Sequence, residues 1–239
     1  MKSNPPWKPG DVYIAVGGTL LLQLIALFLA TAHEKWGTFS FLISPYPVIN
    51  FTGAYLLTAF TFLFPLYIIL RGKEISYSDF GIRKTTLWEI IRTILYGYGL
   101  LLLTALILAA VNYFIPIEDI PGLQPQSLSF LKEDQATYIV ASFIAIVIAP
   151  VIEEFVFRGF ILNTLIRTMP PYLASLITAL LFALLHLEFK SILGVFILGL
   201  IINHLFLNVT SHRKTVSPSL LPVIAFHMVN NTIALMILS

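Results

Sequence analysis

The stretch that decides the fold runs from Ala149 to Phe160 and reads APVIEEFVFRGF. Glu153, Glu154 and Arg158 stand here between long apolar segments. The whole chain of 239 residues is 58% hydrophobic and 11% charged, whereas soluble domains carry about 25% charged residues. A charge at the bilayer centre costs roughly 2.5–3.5 kcal/mol on insertion scales. Three charges together in such a segment therefore indicate a functional site.

Apolar runs of about 20 residues predict an all-α, polytopic transmembrane helix bundle of about seven spans, or seven to eight. The fourth predicted span has 31 residues, or about 46 Å of helix, against a hydrocarbon core of about 30 Å. We therefore expect it either to overhang the bilayer or to break at Pro150. The predicted spans are Val12–Ala32, Val48–Leu70, Thr93–Asn112, Thr137–Arg167, Tyr172–Leu187, Ser191–Asn208 and Leu220–Leu238.

We expect a single membrane domain over residues 1–239, with a motif-bearing core at about 137–239 and accessory helices at 12–112. Basic residues concentrate on the side of the N-terminus, which the positive-inside rule makes cytoplasmic. The prediction is a multi-pass protein of the cell membrane. Its expected partner is the lipid bilayer, and it is not expected to bind nucleic acid. Of the 14 basic residues, the 11 on that side are Lys2, Lys8, Arg71, Lys73, Arg83, Lys84, Arg92, Arg158, Arg167, Arg213 and Lys214.

The spacing of the charged residues gives Glu154, but not Glu153, a partner on its own helix. Arg158 follows Glu154 by four residues, which places both on one helix face in the favourable acid-first order. This spacing predicts a Glu154–Arg158 ion pair and leaves Glu153 without a partner on its own helix. One interpretation is that both glutamates only form structural ion pairs. The other is that Glu154 and Arg158 support the helix while Glu153 performs chemistry.

A second polar residue is expected at the height of Glu153. If spans four and five turn at Met169–Pro170, Glu153 and His186 lie 16 to 17 residues from the turn on either side. In an antiparallel pair both are then about 25 Å from the turn. A lone histidine on an apolar helix can also be a packed core residue. The shared height favours a common site.

The last span carries His227 and Asn231, an i, i+4 pair on one face of an otherwise apolar helix. The pair either joins the site from the same side of the membrane or forms an interhelical hydrogen-bond clamp. Asn230 faces roughly the same way, so the choice between the two asparagines stays open. On span six, Asn203 and His204 either line the site or pack.

Three motifs occur in order on three helices: Glu-Glu-x-x-x-Arg at 153–158, Phe-x-x-x-His at 182–186 and His-x-x-x-Asn at 227–231. The set resembles the CPBP family, the CAAX-protease and bacteriocin-processing (Abi) intramembrane proteases. Relatives are described with eight spans, one more than counted here.

The resemblance implies proteolysis near the cytoplasmic side of the membrane. Glu153 would then activate water as a general base, and His186 would orient or deprotonate that water. His227 and Asn231 would donate hydrogen bonds to the oxyanion of the scissile carbonyl. Glu154, Arg158 and Phe182 would support these catalytic residues.

The implied substrate is a peptide or membrane-anchored protein, lipidated in the case of CAAX proteins. No cofactor is favoured, although Glu153, His186 and His227 are credible Zn²⁺ ligands. Asparagine is a poor zinc ligand and a good oxyanion donor, which favours the metal-free mechanism. The alternative function is a non-catalytic bacteriocin-immunity or scaffold protein that binds a peptide or partner in the same cavity.

Overall fold

A computed structural model of the chain describes residues 5–36, 44–114, 134–186, 191–209 and 218–238. All regular elements within these ranges are helical, as predicted. Six helices are long and apolar enough to cross a bilayer, and the remaining one, α5, has 15 residues. The helices are α1 Pro9–Trp36, α2 Pro47–Leu70, α3 Leu87–Asn112, α4 Gln135–Leu165, α5 Pro171–Leu185, α6 Ile192–Val209 and α7 Leu220–Leu238. The described helices thus correspond one to one with the predicted spans.

Helix α4 neither breaks at Pro150 nor remains a regular α-helix there. The N–H of Ala149 donates to the carbonyl of Ile144, five residues back. Because proline has no N–H, the usual hydrogen-bond ladder cannot continue through Pro150, and a π-helical turn is a common way to accommodate such a defect. The π-helical turns of α4 are Ile144–Ile148 and Phe155–Leu162. Of the two expectations, an overhang or a break, the break at Pro150 is not found, and α4 continues as a locally widened helix.

Small residues set the close helix contacts around α4. On α6, a Cβ added to Gly199 would lie 3.2 Å from the Cα of Ala179 on α5. On α3, a Cβ at Gly97 would lie 2.4 Å from the ring of Phe226 on α7. Small residues let helix backbones approach closely in membranes. Gly97 thereby lets Phe226, the neighbour of His227 in sequence, pack fully buried against α3.

The connection between α2 and α3 folds against the ends of α4 and α7. Its short 3₁₀ helix, Tyr77–Phe80, ends at Gly81, which has a φ of 80° that favours glycine. The N–H of Leu220 at the start of α7 donates to the Gly81 carbonyl at 2.9 Å. Asn163 on α4 donates through its side chain to the carbonyl of Asp79 at 2.7 Å. The two helices that carry Glu153 and His227 are therefore held together at this end of the bundle.

The N-terminal segment joins the same end of the bundle. The indole of Trp7 is buried, donates to the Thr164 hydroxyl at 2.8 Å and packs against Phe80 at 4.7 Å. Asp11 forms an ion pair with Lys73 at 2.6 Å. The predicted basic positions before α1 and between α2 and α3 thus share one end of the bundle. Three further positions of the predicted basic side lie outside the described residues: Lys2, Arg213 and Lys214.

Candidate active site

The ion pair predicted from the i, i+4 spacing is present and fully buried. Arg158 Nη1 donates to Glu154 Oε1 at 2.9 Å, and both side chains have no exposed surface. Arg158 Nε donates to Asn203 Oδ1 at 2.9 Å, and Nη2 donates to the Gly199 carbonyl at 3.1 Å. The guanidinium carbon lies 4.6 Å from the ring centre of Phe182. Each guanidinium nitrogen therefore has a hydrogen-bond partner, which a buried charge requires.

His227 connects the two neighbouring glutamates. Its Nδ1 lies 2.8 Å from Glu154 Oε1, and its Nε2 lies 3.8 Å from Glu153 Oε2. An ionised carboxylate can only accept hydrogen bonds, so Nδ1 carries a proton and Nε2 is the ring atom that faces Glu153. Glu154 therefore has a second partner besides the predicted Arg158. Glu154 also fixes the orientation of the histidine on α7.

Glu153 is the accessible member of the glutamate pair. Its side chain is 21% exposed, against 0% for Glu154. It lines a small cleft between α2 and α4. The other residues of the cleft wall are Tyr55, Thr58, Ala59, Phe62, Ala149 and Ile152. A mostly apolar cleft with one carboxylate at its wall is a suitable place for a reacting group to meet a substrate.

The register of α4 and α5 follows the turn count. The rings of Phe157 and Phe182 meet edge to face with their centres 5.1 Å apart. These residues lie four positions nearer to the turn than Glu153 and His186, respectively. The contact therefore brings Glu153 and His186 to the same level of the bundle.

His186 itself is oriented by its own helix. Its Nδ1 lies 2.6 Å from the Phe182 carbonyl, and its ring contacts the Phe182 ring at 4.5 Å. Because a carbonyl can only accept, Nδ1 carries the proton and Nε2 is left as an acceptor. Within the described residues, His186 forms no hydrogen bond with Glu153 or His227.

Asn231 is engaged by the backbone of α4. Its Nδ2 donates to the Ala145 carbonyl at 2.8 Å. Asn230 Nδ2 lies 3.5 Å from Asn231 Oδ1. Of the two asparagines, Asn231 is therefore the one that joins α7 to α4.

Residues 135–233 match the family model described as Rce1-like, type II CAAX prenyl endopeptidase. The motif-bearing segment is therefore similar to this family. All three motifs lie inside the matched range, in agreement with the resemblance seen in the sequence, and the family is one of proteases. Neither a curated protein nor a solved structure gives a match to the chain.

Within the matched residues 135–233, the buried Arg158 is bound by Asn203, a residue whose role the sequence left open. Asn203 on α6 accepts from Arg158 and donates through Nδ2 to the Ser175 carbonyl on α5 at 2.8 Å. The adjacent His204 is exposed and stacks on Tyr96 with ring centres 5.9 Å apart. Asn203 therefore belongs to the site, and His204 packs elsewhere.

Tyr55 lies on α2, outside the matched residues 135–233, and lines the same cleft as Glu153. Sequence reasoning missed it because a tyrosine in an apolar helix gives no specific signal.

The alternative zinc ligands are not assembled around one point. Across the parts of the chain that the structure describes, no three His, Cys, Asp or Glu side chains are grouped so that they could hold a metal ion. The donor set of Glu153, His186 and His227 therefore does not fit a zinc site in this arrangement.

Proposed function

We propose that this protein is an intramembrane endopeptidase of the CAAX-protease/Abi type, in which Glu153 activates the water that hydrolyses a peptide bond. The supporting observation is the position of His227 between the two glutamates, 2.8 Å from Glu154 and 3.8 Å from Glu153. This unit lies in a bundle whose buried side chains are mostly apolar. It combines a buried orienting carboxylate, a histidine and an accessible carboxylate, which are the parts of a general acid–base site.

The reacting water binds between Glu153 Oε2 and His227 Nε2. Two polar atoms 3.8 Å apart can each contact one water molecule within normal hydrogen-bond distance. Glu153 takes a proton from this water as its oxygen attacks the scissile carbonyl carbon. The same proton then passes to the amine when the C–N bond breaks. His186, at the same level and with Nε2 as an acceptor, is placed to orient the water.

We assign stabilisation of the developing oxyanion to His227. In the doubly protonated ring, present before the water attacks, Nδ1–H stays on Glu154, whose charge compensates the imidazolium, while Nε2–H first contacts the water and then donates to the oxygen of the tetrahedral intermediate. One such donor is worth roughly 2.7–4 kcal/mol in other acyl-transfer sites. Glu154 and Arg158 therefore act on the reaction through the orientation of His227.

The proposed substrate is a peptide or a membrane-anchored protein. The matched family acts on CAAX prenyl proteins by its description, so a lipidated C-terminus is the first substrate class to test. The cleft between α2 and α4 presents mostly apolar residues on the way to Glu153, which suits a chain that arrives from the bilayer. The concentration of basic residues at the N-terminal side makes this side cytoplasmic.

The test is cleavage by the purified protein in detergent and in liposomes. The probes are a fluorogenic farnesylated CAAX-type peptide and the same peptide without the farnesyl group. We expect cleavage by the wild type and at least a ~10²-fold loss in Glu153→Gln. The Glu153→Gln form also serves as a trap, and peptides captured with it become additional probes. Equal cleavage by Glu153→Gln would refute the mechanism.

A further inference from the structure

Pro150 leaves one carbonyl of α4 without a backbone donor. In a regular α-helix the Ala145 carbonyl would accept from the N–H of residue 149, but the Ala149 N–H bonds to Ile144 instead. In the π-helical pattern the donor would be residue 150, which is a proline and has no N–H. Both usual donors of the Ala145 carbonyl are therefore lost.

Asn231 supplies the missing donor from another helix. Its Nδ2 donates to this same carbonyl at 2.8 Å. Inside a bilayer no water is present to satisfy a freed carbonyl, so a neighbouring side chain has to do so. We propose that Asn231 is a positioning residue that completes the π-helical turn created by Pro150 and thereby fixes α7 against α4.

The consequence for the site follows from the positions on the two helices. Asn231 lies one turn after His227 on α7, and Ala145 lies two turns before Glu153 on α4. The bond from Asn231 to Ala145 and the contacts of His227 with the glutamates therefore tie the same two helices at successive levels. Loosening the first bond changes the 3.8 Å separation of His227 Nε2 and Glu153. The bond itself is independent of the reaction, and its effect on catalysis rests on the proposed function.

This role differs from direct donation to the oxyanion by Asn231. A donor that contacts the substrate is needed whatever residue stands at position 150. A donor that serves the Ala145 carbonyl is needed only while position 150 lacks an N–H. Exchanging Pro150 for alanine restores an N–H to α4 and gives the Ala145 carbonyl a backbone donor again. The two roles thus predict different behaviour in a double-mutant cycle.

The cycle consists of the wild type, Asn231→Ala, Pro150→Ala and the double variant, with kcat and KM measured on the probes above. With Pro150 present, Asn231→Ala should lower kcat roughly tenfold or more, since a carbonyl within the bilayer loses its hydrogen-bond donor. In the Pro150→Ala background the same change should lower kcat less than about twofold. Asn230→Ala is the matched control and should leave kcat near wild type. An equal loss in both backgrounds would overturn the proposal and make Asn231 a direct donor.

Melting temperatures of the same four proteins in detergent provide a second readout that needs no activity. Asn231→Ala should lower the melting temperature when Pro150 is present and leave it nearly unchanged in the Pro150→Ala background. Additive shifts would overturn the clamp even if every variant were inactive. Coupled shifts in a protein that cleaves nothing would retain the clamp and reject the proposed function instead.

Discussion

The adjacent residues Glu153 and Glu154 should separate activity from stability when each is changed to glutamine. Both substitutions preserve shape and remove one negative charge. Their surroundings differ: Glu154 is fully buried and accepts from Arg158 at 2.9 Å and from His227 at 2.8 Å. Glu153 is 21% exposed and lies 3.8 Å from His227. The same chemical change therefore has different consequences at neighbouring positions.

The magnitude for Glu154→Gln follows from the partners that Arg158 retains. Asn203 and the Gly199 carbonyl are neutral acceptors, so the buried guanidinium loses its only described counter-charge within hydrogen-bond distance. Removing one partner of a buried ion pair costs about 3–5 kcal/mol, because the other charge stays buried and uncompensated. Glu153→Gln leaves that pair intact and should change the free energy of unfolding by less than about 1 kcal/mol.

The assay is thermal unfolding of both variants in one detergent, combined with cleavage of the farnesylated probe. For a chain of this size 1 kcal/mol corresponds to about 2–4 °C, so Glu154→Gln should melt roughly 6–20 °C below the wild type. Glu153→Gln should melt near the wild type and lose at least ~10²-fold in cleavage rate. A Glu154→Gln protein with wild-type melting would refute the account of the buried pair. Equal destabilisation by both variants would refute the division of roles.

Three further predictions test the surroundings of the site. Gly97→Ala places a Cβ 2.4 Å from the Phe226 ring and should destabilise by about 1–3 kcal/mol through overpacking, whereas Gly99→Ala, with nothing within 4 Å of its Cβ, should be silent in the same melting assay. Tyr55→Phe removes the hydroxyl of a cleft-lining residue and should lower kcat/KM roughly tenfold. The control Tyr67→Phe, at an exposed position, should leave kcat/KM unchanged. Equal rates for both variants would exclude a role of the Tyr55 hydroxyl. Dialysis against a strong chelator should leave the cleavage rate unchanged, and loss of activity that returns on adding Zn²⁺, with stoichiometric zinc by elemental analysis, would contradict the metal-free mechanism.

The features predictable from the sequence were those that depend on one helix or one turn. Hydropathy located helices α1 to α7 because span length is set by bilayer thickness. The Glu154–Arg158 pair followed from i, i+4 spacing. The common level of Glu153 and His186 followed from counting residues on either side of a short turn, and the Phe157–Phe182 contact agrees with that count. The division into a motif-bearing core and accessory helices stays a prediction.

The features that could not be predicted depend on contacts between helices distant in sequence. Asn203 reaches Arg158 across 45 positions, and His227 reaches Glu154 across 73. No periodicity in a single sequence specifies which polar residue of one span meets which residue of another. For the span that contains Pro150 the sequence predicted either an overhang or a break, whereas the helix continues and a second helix supplies the missing hydrogen bond. Proline in a membrane helix is tolerated when neighbours satisfy the freed backbone groups, and those neighbours appear only in the folded bundle.

The buried ion pair is better explained by the site than by stability. A buried salt bridge is weak as a stabilising device, because desolvation of both charges offsets their attraction. Apolar residues of similar volume would fill the same space between α4, α5 and α6 at no greater cost. Glu154, however, accepts from Arg158 and His227 with the same oxygen, Oε1. Arg158 therefore holds in place the carboxylate that orients His227 toward Glu153. The orientation of His227, the proposed oxyanion donor, therefore depends on the buried charge of Glu154, whose desolvation costs free energy.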